Sequence, residues 1–214
     1  MIAVICGSTG LVGNILLHSL LQNDKFSKVI SLSRRPVGFK NSKLTEVLTS
    51  DLTDLSKQES DLRGDIYFCC LGTTIKSAGS QENFKKVDFY SVCEFAKIAK
   101  KFEAKSFVII SAAGANKNSG LFYNRVKGET ENALKQLQLN RLVIFRPGLL
   151  VGERREFRFG EKLFINALGG LRPIVPAEFE KRIATQVNAL AEQMIFKSLE
   201  IEAGIFVIEA KNIG

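Results

Sequence analysis

Short apolar runs alternate along this chain with longer segments in which apolar residues recur at helical spacing. The short runs predict strands, because near-continuous apolar sequence is typical of parallel strands that are covered on both faces. Strands are expected at residues 2–6, 29–33, 44–48, 66–70, 107–111, 142–146 and 205–209. Helices are expected at about 11–21, 81–102, 122–137, 160–168 and 182–199. This alternation predicts an α/β fold in which a doubly wound parallel sheet carries helices on both faces.

Length and composition favour a single domain over residues 1–214, since 214 residues with 45% hydrophobic content suffice for one core. The segment 148–180 departs from the alternation and is rich in glycine, proline and arginine. We interpret it as a small C-terminal cap on the substrate side of the fold. Its Arg154, Arg155 and Arg158 suit an acidic substrate, but neighbouring glutamates favour surface ion pairs.

The net charge of +8 is compatible with an anionic partner such as a dinucleotide or a nucleic acid. The lysines are scattered along helices without interleaved aromatic residues, which favours a solvated basic face over nucleic-acid binding. No apolar stretch reaches the roughly 20 residues of a membrane-spanning helix, and the chain starts without a secretory leader. We therefore expect a soluble, cytoplasmic monomer or homodimer without a membrane span.

The cysteines predict buried free thiols rather than a metal site. Cys6, Cys69, Cys70 and Cys93 lie in or beside apolar segments and form no CxxC pair. The chain has one histidine, so ligands at metal-binding spacing are lacking. We expect no metal.

A glycine-rich turn directly follows the first predicted strand and opens the first predicted helix. It reads Gly7, Ser8, Thr9, Gly10, Leu11, Val12 and Gly13. Glycines there permit a tight turn and bring backbone amides close to a pyrophosphate, which the helix N-terminus attracts. The spacing is GxxGxxG and not GxGxxG, and a plain structural turn is the alternative. In its strand-turn-helix context the turn predicts a Rossmann fold that binds NAD(P).

The end of the second predicted strand favours NADP over NAD. NAD-binding proteins usually place Asp or Glu there to bind the ribose 2′-hydroxyl. This chain has Ser33, Arg34 and Arg35 instead. An arginine can pair with a 2′-phosphate that a carboxylate would repel, although a solvated basic turn ahead of Pro36 is the alternative.

A candidate catalytic group follows from Ser111, Tyr123 and Lys127. Ser111 is placed at the carboxyl edge of the sheet, where open α/β folds bind ligands. Tyr123 and Lys127 share one helix face at i, i+4 spacing, so the ammonium can lower the pKa of the phenol. We expect Tyr123 to exchange a proton with a carbonyl or alcohol oxygen, Ser111 to hydrogen-bond that oxygen, and Lys127 also to hold the nicotinamide ribose.

These features together resemble the atypical short-chain dehydrogenase/reductases, and more narrowly the Tat-interacting-protein-like NADP-binding oxidoreductases with their small bacterial relatives. The resembling segments span most of the chain and include 7–13, 33–36, 70–74, 87–88, 110–115, 122–129 and 145–152. The resemblance implies further NADP contacts: Asp51 and Leu52 at the adenine, Leu71, Gly72 and Thr73 at the pyrophosphate and nicotinamide ribose, and Pro147, Leu149 and Leu150 at the nicotinamide amide.

Three functions follow from this interpretation. The first is an NADP(H)-dependent oxidoreductase that transfers a hydride between NADPH and a small carbonyl or alcohol substrate. The second is an NADP(H)-binding regulatory or assembly protein with little or no turnover. The third, a nucleic-acid-binding module, is supported by the net charge alone.

Overall fold

The computed structural model describes residues 1–151 and 184–213. Its strands are β1 (Ile2–Cys6), β2 (Lys28–Ser33), β3 (Leu44–Leu48), β4 (Ile66–Cys69), β5 (Ser106–Ile110), β6 (Arg141–Arg146), β7 (Leu149–Val151), β8 (Ala184–Gln186) and β9 (Gly204–Glu209). Its α-helices are α1 (Leu11–Gln22), α2 (Ile75–Ala78), α3 (Gln81–Lys85), α4 (Ser91–Lys101), α5 (Phe122–Gln136) and α6 (Val187–Ser198). A π turn (Lys86–Tyr90) joins α3 to α4, and short 3-10 turns cover Glu59–Leu62 and Ala210–Asn212.

Seven of the described strands form one parallel sheet in the order β3-β2-β1-β4-β5-β6-β9. The chain moves outward from β1 to β3 and then crosses back to β4 on the other side of β1. The carboxyl ends of β1 and β4 therefore lie side by side where the strand order reverses, which is where open α/β sheets bind ligands. The predicted doubly wound α/β fold is confirmed.

Both faces of the sheet are apolar, because successive strand residues point to opposite sides. In β1, Val4 and Cys6 join the cluster that contains buried residues of α4 and α5. Ala3 and Ile5 join the opposite cluster, which α1 and α6 cover. Two separate layers of core thus hold the sheet, as continuous apolar strands require.

The long helix predicted at 81–102 is interrupted by the π turn, and Ser111 lies one residue beyond β5 instead of closing it. The helix predicted from residue 182 is wrong at its start, because residues 184–186 form β8 and pair with β7. Helical spacing of apolar residues continues across this point, which hides the short strand. The predicted helix at 160–168, the arginines of the cap and residues 152–180 lie outside the described residues.

Candidate active site

The glycine turn after β1 packs tightly against the end of β4. Gly7 has a φ of 87°, and a Cβ built there would lie 2.7 Å from the carbonyl carbon of Cys70. A Cβ on Gly13 would lie 2.1 Å from the Gly7 carbonyl oxygen. The turn and the first turn of α1 approach so closely that only glycine fits at both positions.

The remaining residues of this turn divide between surface and core. Thr9 and Gly10 are exposed, and Gly10 is the N-cap of α1 without a side-chain cap. Ser8 is buried, and its Oγ shares a 2.7 Å hydrogen bond with Ser31 Oγ of β2. Leu11 is half-buried and Val12 is in the core. The N-terminal amides of α1 are therefore open to an anion, as a pyrophosphate site requires.

At the end of β2, Arg34 and Arg35 are exposed while Ser33 is buried. The Ser33 hydroxyl donates a 2.7 Å hydrogen bond to the Arg35 carbonyl and thereby fixes the turn. Burial raises the pKa of the Cys6 thiol, and Arg34 lies near enough to oppose that rise. One guanidinium is thus within electrostatic reach of the end of β1.

The predicted adenine contacts differ in exposure. Leu52 belongs to the core beside β2 and β3. Asp51 is exposed, and its Oδ1 accepts 2.7 Å hydrogen bonds from the Thr53 amide and hydroxyl. These bonds lower the pKa of the Asp51 carboxyl. The carboxylate closes its own turn in this structure.

Three predicted contacts follow β4 and three follow β6. Leu71 is buried, Gly72 is exposed and Thr73 is half-buried. A Cβ built on Gly72 would lie 3.8 Å from Lys127 Nζ, so this segment borders the predicted catalytic lysine. Pro147 is buried and Leu149 and Leu150 are half-buried at the same carboxyl edge of the sheet.

The structure brings Tyr123 and Lys127 together on α5. Tyr123 packs on Phe84 with ring centroids 5.7 Å apart. Burial raises the pKa of Tyr123, Lys127 lowers it, and Asp88 raises it further. Lys127 is buried and its Nζ lies 2.7 Å from Asp88 Oδ1. The lysine therefore faces the tyrosine and a carboxylate at once.

Ser111 is tied to the same helix through a carboxylate that the sequence interpretation missed. Its hydroxyl donates a 2.6 Å hydrogen bond to Glu131 Oε1. Arg146 binds both oxygens of Glu131, at 2.9 and 2.7 Å, and also reaches Glu209 of β9. The Ser111 proton therefore points to Glu131, and the oxygen lone pairs of Ser111 remain available as acceptors.

Asp88 and Glu131 left a signal in the sequence that could have found them. Asp88 follows Phe84 and precedes Val92 at helical spacing, and all three are buried. Glu131 follows Lys127 by one helical turn and is also buried. A carboxylate on an apolar helix stripe is rarely buried without a partner, and each lies beside a predicted catalytic residue.

The cysteines lie in or beside the strands and helices of the core. Cys6 and Cys69 are register partners on β1 and β4 and are buried, while Cys70 and Cys93 are half-buried, and all four are free thiols. The described residues contain no cluster suited to a metal ion. Across residues 1–151 and 184–213, no helix combines the length and apolar character needed to cross a membrane.

Comparison with protein families and sequences places this chain among known relatives. The HIM1 family model matches residues 37–169. Protein HTATIP2 of Rattus norvegicus is 34% identical over 194 residues, covering 89% of this chain and 80% of that protein. Protein FMP52-2, mitochondrial, of Scheffersomyces stipitis is 36% identical over 222 residues, and the match covers 99% of this chain and 95% of that protein.

Solved structures resemble the fold. A short chain dehydrogenase family protein from Francisella tularensis superposes with a TM-score of 0.71 at 19% identity, covering 99% of this chain and 98% of that chain. MoeE5 in complex with UDP-glucose and NAD superposes with a TM-score of 0.74 at 14% identity, and the match covers 98% of this chain and 75% of the MoeE5 chain. At such identities the likeness establishes the Rossmann-type fold.

The comparisons contradict the cytoplasmic location expected from the sequence. The fungal relatives are named as mitochondrial proteins. The expectation failed because a folded α/β domain with this composition is compatible with either compartment, so composition does not identify the location.

Proposed function

This chain belongs to the HIM1 family together with HTATIP2 and FMP52, and from that premise we propose that it is an NADP(H)-dependent oxidoreductase. The proposed reaction transfers a hydride between NADPH and a small carbonyl or alcohol substrate. Membership of this family confirms the resemblance to atypical short-chain dehydrogenase/reductases.

One observation carries the proposal: the segment after β4 touches the glycine turn on one side and the lysine of α5 on the other. The Gly7 backbone packs against Cys70 and Leu71, and Gly72 lies against Lys127 Nζ. A dinucleotide laid along this segment would have its pyrophosphate at the N-terminus of α1 and its nicotinamide ribose beside Lys127. The residues present fit such a cofactor, since the N-terminus of α1 has no side-chain cap and Gly10 at its N-cap is exposed.

The preference for NADP depends on the end of β2. Arg34 and Arg35 are exposed there, and the described turn holds no carboxylate of the kind that binds a ribose 2′-hydroxyl. A guanidinium offers two parallel N–H donors to a phosphate, and its charge favours the phosphorylated ribose. MoeE5 was solved with NAD, which supports a nicotinamide dinucleotide in this fold but does not distinguish the two forms.

Each catalytic residue would have one task. Bound NADPH supplies the hydride that reduces the carbonyl carbon. Tyr123 gives its hydroxyl proton to the carbonyl oxygen, which becomes the alcohol, and it takes the proton back when the alcohol is oxidised. Lys127 stabilises the tyrosinate that remains, and the Ser111 oxygen accepts a hydrogen bond from the hydroxyl of the alcohol.

Replacing Tyr123 tests the proposal. With a carbonyl compound found by screening aldehydes, ketones and quinones for NADPH oxidation, Tyr123→Phe should lower kcat by about 100-fold or more, since a positioned acid contributes roughly that much. The Kd for NADPH, measured by fluorescence, should stay within about threefold because the phenol is not a phosphate ligand.

Tyr90→Phe is the matched control, because Tyr90 is 52% exposed on the π turn. It should keep parental turnover. Parental turnover in Tyr123→Phe as well would rule out the proton-donor role of Tyr123.

The regulatory or assembly function is the second candidate, and one observation favours it. The Ser111 proton is directed to Glu131, and the Lys127 charge is paired with Asp88, so both groups are engaged before any substrate arrives. This alternative expects NADPH binding without turnover in the full screen.

A further inference from the structure

Asp88 is held at one point of the fold by its backbone as well as its side chain. It lies in the π turn between α3 and α4 and is fully buried. The Thr130 hydroxyl of α5 donates a 2.8 Å hydrogen bond to the Asp88 carbonyl oxygen. A π turn departs from the regular hydrogen-bond pattern of an α-helix, and here the Asp88 carbonyl oxygen accepts from a side chain of α5.

The two carboxylate oxygens of Asp88 serve two different partners. Oδ1 lies 2.7 Å from Lys127 Nζ, and Oδ2 accepts a 2.9 Å hydrogen bond from the Thr73 amide. The side chain thereby joins α5 to the segment after β4. Gly72 borders this ion pair, since a Cβ built on it would be in van der Waals contact with Asp88 Oδ1, at 3.7 Å.

Burial of a charged lysine requires such a partner. Desolvation lowers the pKa of Lys127, and the Asp88 carboxylate raises it above its ordinary value. At Tyr123 the carboxylate offsets part of the effect of the ammonium.

Few other titratable groups face the pair. From the end of β4 comes Cys69, and burial raises the pKa of its thiol to about 12, so it stays neutral. From α5 comes Tyr123 itself, and from α3 comes the apolar Phe84. Asp88 and Lys127 are therefore the charges among the described residues that act most directly on Tyr123.

We propose that Asp88 is a positioning residue for the proposed reaction: its carboxylate fixes the Lys127 ammonium and cancels part of the positive charge that Tyr123 would otherwise feel. The inference rests on the proposed function for its catalytic meaning. Its consequence is that Tyr123 holds its proton to higher pH than a lysine alone would allow, which extends the alkaline side of the pH range in which it can donate that proton to a carbonyl.

Ultraviolet titration of tyrosinate tests this without any substrate. The chain has three tyrosines and no tryptophan, so the background is low. In a Tyr90→Phe background only Tyr67 and Tyr123 remain, and burial raises the pKa of Tyr67, whose hydroxyl donates a hydrogen bond to the Leu62 carbonyl. A further Tyr123→Phe variant supplies the baseline to subtract.

Asp88→Asn in this background should increase the ionised fraction of Tyr123 at a fixed pH by about tenfold, as expected when one nearby negative charge is removed. Asparagine keeps the volume and an oxygen for the Thr73 amide. In turnover assays the pH optimum for carbonyl reduction should move to lower pH. An unchanged titration would overturn the proposal.

Asp65→Asn is the matched control. Asp65 likewise pairs with a lysine, Lys105 at 2.9 Å, and accepts a hydrogen bond from a backbone amide, that of Ile2 at 2.7 Å. It lies at the opposite, amino edge of the sheet beside β4. Its loss should leave the Tyr123 titration unchanged, whereas a shift equal to that of Asp88→Asn would attribute the effect to general loosening and overturn the proposal.

A double-variant cycle keeps the test valid if Asp88→Asn folds poorly. The double variant Asp88→Asn/Lys127→Met buries no unpaired charge, and Tyr123 should ionise at lower pH in it than in Lys127→Met alone. Equal titrations in these two proteins would refute the role of Asp88. Shifted titrations without turnover in any variant would instead refute the proposed reaction and leave the electrostatic role of Asp88 intact.

Discussion

Arg34 is the residue on which the proposed choice between two dinucleotides depends. Its guanidinium is exposed at the end of β2, near the end of β1, where a ribose 2′-substituent would lie. The adjacent Ser33 hydroxyl binds the Arg35 carbonyl, which sets the direction of the turn without occupying the guanidinium. A carboxylate at this position would favour NAD, because it would bind the ribose 2′-hydroxyl and repel a 2′-phosphate.

Arg34→Ala should weaken NADPH binding by about 10- to 100-fold, the range of one charge-assisted hydrogen-bonded contact. The Kd for NADH should change by less than about threefold, because NADH lacks the 2′-phosphate. Isothermal titration with both nucleotides measures the ratio. Arg63→Ala, at an exposed arginine near the end of α4, is the control and should leave both constants unchanged.

If the ratio of the Kd for NADPH to the Kd for NADH in Arg34→Ala equals that of the parent protein, the result would argue against this contact. In that case Arg35→Ala should be measured, because Arg35 is the other exposed guanidinium of the turn.

At the scale of elements, a buried arginine at the start of β6 fastens the end of α6 to the turn before β9. Arg141 is 2% exposed and donates to the Lys197 carbonyl, the Glu202 carbonyl and the Glu200 carboxylate. Its guanidinium also stacks 4.0 Å from the Phe206 ring centroid. The contact with Lys197 satisfies a carbonyl at the C-terminus of α6 that would otherwise lack a partner.

Arg141→Leu should lower the free energy of unfolding by about 3 kcal/mol, because it removes the donor of Glu200 Oε2 and of the Lys197 and Glu202 carbonyls, while Lys197 still pairs with Glu200. Urea denaturation measures the loss as a lower midpoint. Arg141→Lys keeps the charge but loses the planar fork, so it should be intermediate. A midpoint within experimental error of the parent in Arg141→Leu would show that the network contributes no net stability.

For the molecule as a whole, the proposed cofactor would join the two halves of the sheet. The glycine turn belongs to β1 and α1, the arginines follow β2, and Lys127 lies on α5 beyond β5. A ligand that contacts all three binds the folded chain and not the unfolded one. Its binding energy therefore adds to global stability.

NADPH at about 100 times its Kd should add about 2.7 kcal/mol, which corresponds to a rise in Tm of roughly 5–10 °C for a domain of this size. NADH at the same concentration should give a clearly smaller rise. Differential scanning fluorimetry measures both shifts. Equal rises would contradict the proposed 2′-phosphate contact, and no rise with either nucleotide would contradict dinucleotide binding.

Much of the fold could be predicted, because it is encoded in local patterns. The bounds expected for β1 and β3 match the structure, and α1 and α5 begin at the predicted residues Leu11 and Phe122. The inner strands β1, β4, β5 and β6 are runs of mostly apolar residues, and a helix follows each of them before the next strand of the sheet. The short strands β7 and β8 could not be predicted, since they are defined by pairing with each other and not by their own sequence.

The sequence by itself determined the parallel sheet, the glycine turn, the basic end of β2 and the shared face of Tyr123 and Lys127, because each arises from neighbouring residues. Only the tertiary structure decided that Asp88 pairs with Lys127 and that Glu131 accepts the Ser111 hydrogen bond. The physical reason is that the partner of a buried charged side chain is a group distant in sequence, and only the packing of the folded chain brings the two together. Packing of α5 against the π turn and β6 supplies those partners.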